Sequence, residues 1–211
     1  MKTYLTLKPE TEAVFELVDR KSRFIAALRH VETEAEAEGF VDEVRALHHD
    51  ARHHVPAWVL ASGKERASDD GEPQRTSGLP SLDALRGAGL ADVCAVTTRY
   101  FGGTLLGPGG LVRAYGGTVA GAVEEARSQG IVVEMRPVTR VACCIPYAWY
   151  DQVRRMARDA GGKVVGQIFT DEVQLTCDFR AGEEEAFRAK VTELASGRDL
   201  CVVHGPRFAE F

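Results

Sequence analysis

The sequence predicts an α+β protein of two domains. Three observations carry this: short β-type runs alternate with helical patterns along all 211 residues, Arg136-Pro137 interrupts the pattern as a link, and the elements beyond it follow the order β-α-β-β-α-β. That order is the one of a ferredoxin-like split βαβ unit. Domains are therefore expected over 1–135 and 136–211.

Val14 to Val18 and Phe24 to Leu28 read as strands of a hairpin, joined by the polar turn Asp19-Arg20-Lys21-Ser22-Arg23. Thr33 and Glu36 form a capping box, and Ala37, Phe40, Val41, Val44 and Leu47 continue it as one apolar helical stripe. Val55 to Ala61 reads as a strand that Pro56 assigns to a sheet edge, followed by a polar loop from Ser62 to Thr76. Pro80-Ser81 opens a short helix around Leu82 and Leu85, which Gly87 and Gly89 stop. Val93–Thr98 reads as a buried strand running into a glycine-dense turn, and the next helix has Leu111, Val112, Tyr115, Val119, Ala122, Val123 and Ala126 on its apolar side. Gly116, Gly117 and Gly121 inside that helix predict close packing against a neighbouring backbone. Ile131–Met135 closes the first domain as a strand.

In the second domain, Val138–Ile145 is a strand and Trp149, Val153, Met156, Ala157 and Ala160 mark a helix that Gly161-Gly162 ends. Lys163–Phe169 and Val173–Phe179 are strands, Phe187, Val191 and Leu194 mark the second helix, and Leu200–His204 is the last strand.

The net charge of −5 argues against a general nucleic-acid coat, because polyanion affinity rests on many Lys and Arg neutralising phosphates. The charge is uneven. Beyond residue 135 acids and bases balance, and residues 31 to 44 hold six acids and no base, a pattern expected of a solvated helix face. Residues 75 to 113, by contrast, hold Arg75, Arg86, Arg99 and Arg113 against Asp83 and Asp92. Five cysteines, Cys94, Cys143, Cys144, Cys177 and Cys201, form no Cys-x-x-Cys pair and lie in apolar runs, which predicts small buried hydrophobes rather than a disulfide framework or a zinc site. Without an apolar signal core or a membrane-length apolar stretch, the cytoplasm is the expected compartment.

Arg99-Tyr100-Phe101-Gly102-Gly103, then Gly107-Pro108-Gly109-Gly110-Leu111-Val112-Arg113-Ala114-Tyr115, is the most informative stretch. A strand ends there, glycines allow close approach, and the start of a helix leaves unpaired N–H groups beside two arginines. This pattern fits a phosphate at Arg99, Gly102, Gly103, Gly109, Gly110 and Arg113. It fits equally a tight turn with a helix packed closely on a sheet. Ser68-Asp69-Asp70-Gly71-Glu72-Pro73 gathers three carboxylates that could act as general base or hold Mg²⁺, with Asp70 and Glu72 as catalytic candidates, or could simply form a β-turn. The run His48-His49-Asp50-Ala51-Arg52-His53-His54 has metal-ligand chemistry, but Arg52 places a positive charge inside it. No metal or cofactor is expected.

The segments Asp69-Asp70-Gly71-Glu72-Pro73, Gly78-Leu79-Pro80, Arg99 to Gly103, Leu106-Gly107 and Gly109 to Tyr115, in this order, resemble the signature of the IMPACT/YigZ family. Lys21-Ser22-Arg23-Phe24 and Arg52-His53-His54 match it too, so Lys21, Arg23, His53, Asp69, Tyr100 and Tyr115 are further motif positions. The resemblance implies an N-terminal βα sandwich of the ribosomal-protein type, like domain four of elongation factor G, and a C-terminal domain like its domain five. It also implies a translation-associated role, since eukaryotic relatives regulate translation by competing for the activator of a starvation-responsive kinase. The expected partners are the ribosome, RNA or a translation factor. The chain departs from the family in having Arg75 where Gly is usual and Val55 in place of a frequent Cys, which removes a Cys-His nucleophile. A cation at position 75 would enlarge or partly fill a positive site.

Two functions follow. One is a non-enzymatic regulator binding RNA phosphate or a protein partner through the Gly/Arg face, including Arg75. The other is a hydrolase or phosphotransferase using Asp70 or Glu72 with Arg99 and Arg113. An Arg99 fully engaged with Asp70 or Glu72, with no cavity beside it, would argue against phosphate binding in both.

Overall fold

The computed structural model describes residues 3–211 and forms two compact units, Tyr4–Val133 and Glu134–Phe211, the latter with Thr3. The fold is mixed α and β with two sheets. The first unit contains β1 (Tyr4–Leu7), β2 (Glu12–Asp19), β3 (Ser22–His30), α1 (Glu34–Leu47), β4 (His53–Val59), β5 (Glu65–Ala67), α2 (Gly78–Gly87), β6 (Val93–Tyr100) and α3 (Pro108–Ser128). Its sheet has the order β2-β3-β6-β4-β5. β6 lies in the middle and is buried along nearly its whole length, as its continuous apolar run requires.

Helices cover both faces of this sheet. Leu82 and Leu85 of α2 with Val119, Ala122 and Val123 of α3 pack on one face, against Ala26, Leu28, Ala57, Val93 and Ala95. Phe40, Val41 and Val44 of α1 pack on the other, against Ala27, Trp58, Cys94 and Val96. The capping box forms as spaced: Thr33 Oγ1 accepts from the Glu36 backbone N–H, and Glu36 reaches back to the N–H of Glu32. The acidic stripe is a solvated face, with Glu34, Glu38 and Glu43 paired to Lys64, Arg66 and Arg29.

The second unit contains most of β7 (Val132–Ile145), a 3-10 turn (Tyr147–Trp149), α4 (Tyr150–Asp159), β8 (Lys163–Phe169), β9 (Val173–Arg180), α5 (Glu184–Leu194) and β10 (Cys201–Glu210). Its strands run in the order β10-β7-β9-β8, all antiparallel. Val153 and Ala157 of α4 and Phe187 and Val191 of α5 pack on Val141, Cys143, Ile145, Leu175 and Phe179, where the Phe179 and Phe187 rings stack at 5.0 Å.

Several expectations are corrected. Arg136-Pro137 is not a break, because one strand runs from Val132 to Ile145. Pro137 is tolerated because its carbonyl accepts from Ala181 N–H, so its N–H-less side faces β9 just where pairing with β9 ends at Val138 and Arg180. β10 extends past His204 to Glu210 through a register shift between His204 and Arg207, around Gly205-Pro206. The loop after β4 contains β5, so β4 is not the outermost strand. Pro56 nevertheless turns its N–H-less side toward β5, where its carbonyl accepts from Ser68 N–H and pairing begins only at Ala57. β1 is not apparent in the sequence pattern. Gly121 makes room for the Phe15 ring rather than for a backbone, and Gly117 faces open space. Cys144 is exposed and Cys201 half-buried, so only Cys94, Cys143 and Cys177 behave as buried hydrophobes.

One buried charge has no forewarning in the sequence. Asp178 on β9 accepts from Arg140 Nε and Nη2 at 2.7 and 2.9 Å and from Arg207 Nη2 at 2.9 Å, tying β9, β7 and β10 together. Burial opposes its charge, but the two arginines outweigh it and hold the carboxyl below its usual range. Asp178→Ala would leave a partly exposed Arg140 and an exposed Arg207 without their shared acceptor. It is expected to cost about 1–2 kcal/mol in urea unfolding, the range of charge-assisted hydrogen bonds partly screened by solvent, with Arg207→Ala costing less.

Candidate functional site

The β-sheet register assembles the site from residues far apart in sequence. Arg99 on β6 lies opposite Phe24 on β3 and His53 on β4, so these three form one row across the sheet. Neighbouring residues on a strand face opposite sides. Phe24 therefore packs on the α3 side with Val55, Leu111, Ala114 and Tyr115, its ring edge-on to Tyr115 at 5.1 Å. Tyr100, opposite Arg23, meets the end of α1 instead: its hydroxyl donates to Asp50 and accepts from His48 Nδ1.

The loop between β5 and α2 closes over the Arg99 row and is held by its first carboxylate. Asp69 accepts from the N–H groups of Arg75, Ser77 and Gly78 and from the Ser77 hydroxyl, at 2.7 to 3.1 Å. Burial opposes its charge, yet the Gly78 and Arg75 N–H groups and Ser77 hold the carboxyl below the usual range. Asp70, at φ 44, and Gly71, at φ 86, turn the chain through the left-handed region. Asp70 Oδ2 accepts from His54 N–H at 2.6 Å and Oδ1 from Arg45 of α1 at 3.2 Å, while the Asp70 carbonyl accepts from His53 Nδ1 at 2.7 Å.

This turn delivers Glu72 into the interior. Its Oε1 accepts from Arg99 Nη1 at 2.6 Å and from the Tyr115 hydroxyl at 2.7 Å, with His53 Nε2 at 4.0 Å. The Glu72 and Arg99 side chains are only 4% and 7% exposed, which makes this a buried ion pair. Burial and then the bond to Glu72 push the Tyr115 hydroxyl well above its usual value, so it stays protonated and donates. Arg99 also stands 5.3 Å from the Phe24 ring centroid and 5.6 Å from that of Phe101. Its Nε is buried without a hydrogen-bond partner.

Arg99 is therefore no free anion ligand, because its charge is paired with Glu72, and this argues against a phosphate at Arg99 itself. Glu72 and Asp70 both accept from internal donors. The imidazoles likewise serve hydrogen bonds: His54 Nε2 donates to the His48 carbonyl at 3.0 Å. Arg75 has φ 62, a backbone state Gly adopts freely, which explains why Gly suits this position. Its side chain is exposed over a separate cavity of about 320 Å³ with Arg66 and Asp69, away from the Arg99 row.

The glycine turn has divided tasks. A Cβ at Gly102 would collide with the backbone of Lys21 and Ser22, so Gly102 lets the β2–β3 turn pack against the β6–α3 loop, where Ser22 Oγ also accepts from Gly102 N–H. Arg20 donates to the Leu105 carbonyl across the same junction. Gly103, at φ 82, and Gly107, at φ 73, bend the chain, and Gly110 gives room to the Leu106 side chain. α3 begins with Pro108 and has no side-chain cap, which leaves the first-turn N–H of exposed Gly109 open, whereas Gly110 is buried. Lys21 and Arg113 are exposed and make no ion pair among the described residues, whereas Arg23 pairs with Glu16.

Sequence reasoning missed Arg45 and Ser77 as members of this assembly, and had Phe24 and His54 only within matched segments, without a role. Ser77 stands at the N-cap of α2, where Ser is favoured, but its side chain makes no cap bond: its hydroxyl donates to Asp69, which accepts the N–H groups instead. Phe24 and His53 depend on the register, which no local pattern fixes.

The Impact N-terminal domain model matches residues 20–123, spanning this whole assembly, and the model of a domain of unknown function, DUF1949, matches residues 143–198. The IMPACT family member YvyE of Bacillus subtilis is 35% identical over 94% of this chain and 89% of its own length. The chain belongs to the IMPACT family. A second IMPACT relative, YigZ of Escherichia coli, is 37% identical over 84% of this chain and 87% of its own. A crystal structure of a hypothetical protein, 32% identical, superposes with a TM-score of 0.64 over 100% of this chain and 98% of that one. No described helix is long and apolar enough to cross a membrane.

Glu72→Ala in this IMPACT protein would leave the Arg99 charge buried without a partner. It is expected to cost about 3–5 kcal/mol in urea unfolding, and replacing both residues by apolar ones to recover most of that. Asp69 has a folded pKa below its unfolded one, so the stability it adds is present above the ordinary Asp range, about pH 4, and is lost as pH falls through the folded value. Asp69→Asn should flatten this acid limb of a stability-against-pH curve.

Proposed function

We propose that this protein is a translation-associated regulator without an enzymatic reaction, and that it binds RNA phosphate on the ribosome through the Gly/Arg face of the first unit. Membership of the IMPACT family supports the translation-related class. One observation carries the rest: the groups that could perform chemistry, Glu72, Arg99 and Tyr115, neutralise one another in the interior, while the groups that could bind are left outside. Lys21, Arg113 and Gly109 at the start of α3 are exposed, as are the apolar side chains of Phe101 and Leu105 in the preceding loop.

Cations beside an exposed aromatic ring fit a nucleic-acid strand, with phosphate taken by charge and N–H groups and bases by stacking. In this reading Gly102, Gly103 and Arg99 shape the face from behind, while Arg75 lies over its own cavity apart from it. The strand order of the second unit and the two-sided helix cover of the first support the ferredoxin-like and ribosomal-protein-type folds, with the domain boundary near residue 135. A hydrolase reading finds no support in Asp70 and Glu72, since both accept from internal donors, Glu72 in the interior.

The test is binding of purified small and large ribosomal subunits over a salt series. Affinity should fall as salt rises, and Lys21→Ala with Arg113→Ala should weaken it and lower the log–log salt slope by about 1 per lost phosphate contact. Salt-independent binding, or none, would reject the reading.

A further inference from the structure

The second unit holds a pair of thiols that its fold brings face to face. Cys143 on β7 is the direct register partner of Cys201 on β10. Cys144 N–H donates to the Leu200 carbonyl at 3.3 Å, which makes 144/200 the hydrogen-bonded pair of the ladder and 143/201 the adjacent non-hydrogen-bonded one. At such positions the Cα atoms are about 4.5 Å apart and the side chains at their closest. That separation lies inside the roughly 4.4–6.8 Å range a disulfide spans.

The two thiols differ in access. Cys143 is fully buried among Val141, Ile145, Leu175 and Phe179. Cys201 is half-buried and lines a cavity of about 280 Å³ with Trp149, Arg198 and Asp199. A small oxidant can therefore reach one sulfur, with a second sulfur waiting behind it.

We propose that Cys201 and Cys143 form a reversible oxidation site, in which hydrogen peroxide oxidises Cys201 and Cys143 closes the cross-strand disulfide. The Cys201 thiolate attacks the peroxide, the O–O bond breaks, and Cys201 becomes a sulfenic acid while hydroxide takes up the thiol proton as water. The Cys143 sulfur then attacks the Cys201 sulfur, an S–S bond forms as the S–O bond breaks, and the departing hydroxide leaves as water with the Cys143 proton. Two thiols are oxidised and one peroxide is reduced to two waters. Any low-molecular-weight thiol reverses the step by exchange.

The electrostatics agree with this division. The interaction between the two thiols lowers the Cys201 pKa against the opposing effect of burial, and together with burial raises that of Cys143. The remaining cysteines are unsuited to either role. Cys177 is buried, with its thiol pushed up to about 12, and pairs in register with Val141, while Cys144 faces the other side of β7.

The full reduced chain is treated with hydrogen peroxide, free thiols are alkylated, and peptides are fragmented to separate Cys143 from Cys144. The protein should lose the mass of two hydrogens, with Cys143 and Cys201 together escaping alkylation, and dithiothreitol should restore both. Cys144→Ser should behave the same way. Cys143→Ala should instead leave Cys201 as a sulfenic acid that dimedone captures. Oxygen addition without loss of hydrogens in the unaltered chain, a crosslink through Cys144 or Cys177, or full alkylation of both thiols after peroxide would overturn the assignment.

Discussion

The carboxylate of Glu72, buried against Arg99 and Tyr115, is the contact on which the first unit depends. An isolated charge in the interior is unfavourable by several kcal/mol even after relaxation, so neither Glu72 nor Arg99 could occupy its place alone. Their pairing fixes the loop over the sheet, the loop fixes the start of α2, and Tyr115 ties α3 to the same oxygen. Buried ion pairs are weak sources of stability but strict about geometry. Here the geometry specified is the meeting of one loop, one strand and one helix.

This constraint changes the meaning of the Gly-rich strand-to-helix turn. Read along the chain, Arg99 and the glycines resemble a phosphate cradle. In three dimensions Arg99 is inside, Gly102 accommodates a neighbouring turn, and the outward charge is that of Lys21 and Arg113. The residues most diagnostic of the family are therefore largely those that build the platform.

Much of the fold was legible in the sequence because its signals are local. The Thr33 capping box, the apolar stripes of α1 and α3 and the β-α-β-β-α-β order of the second unit all follow from periodicity within a few residues. What was not legible depends on partners distant in sequence. Pro137 reads as a break until it is known that β9 has already ended beside it. Glu72 and Arg99 were recognised as candidates, but their mutual commitment follows from a loop folding across 27 residues of chain. Asp178 between two arginines and Cys143 opposite Cys201 are equally products of register.

The bonds around Asp69 have a kinetic corollary. All of them link residues no more than nine apart, so this segment closes with little chain entropy and does not wait for the sheet. Arg99, whose strand partners Phe24 and His53 are distant in sequence, is expected by the same reckoning to be buried later, when Glu72 is already carried on a closed segment.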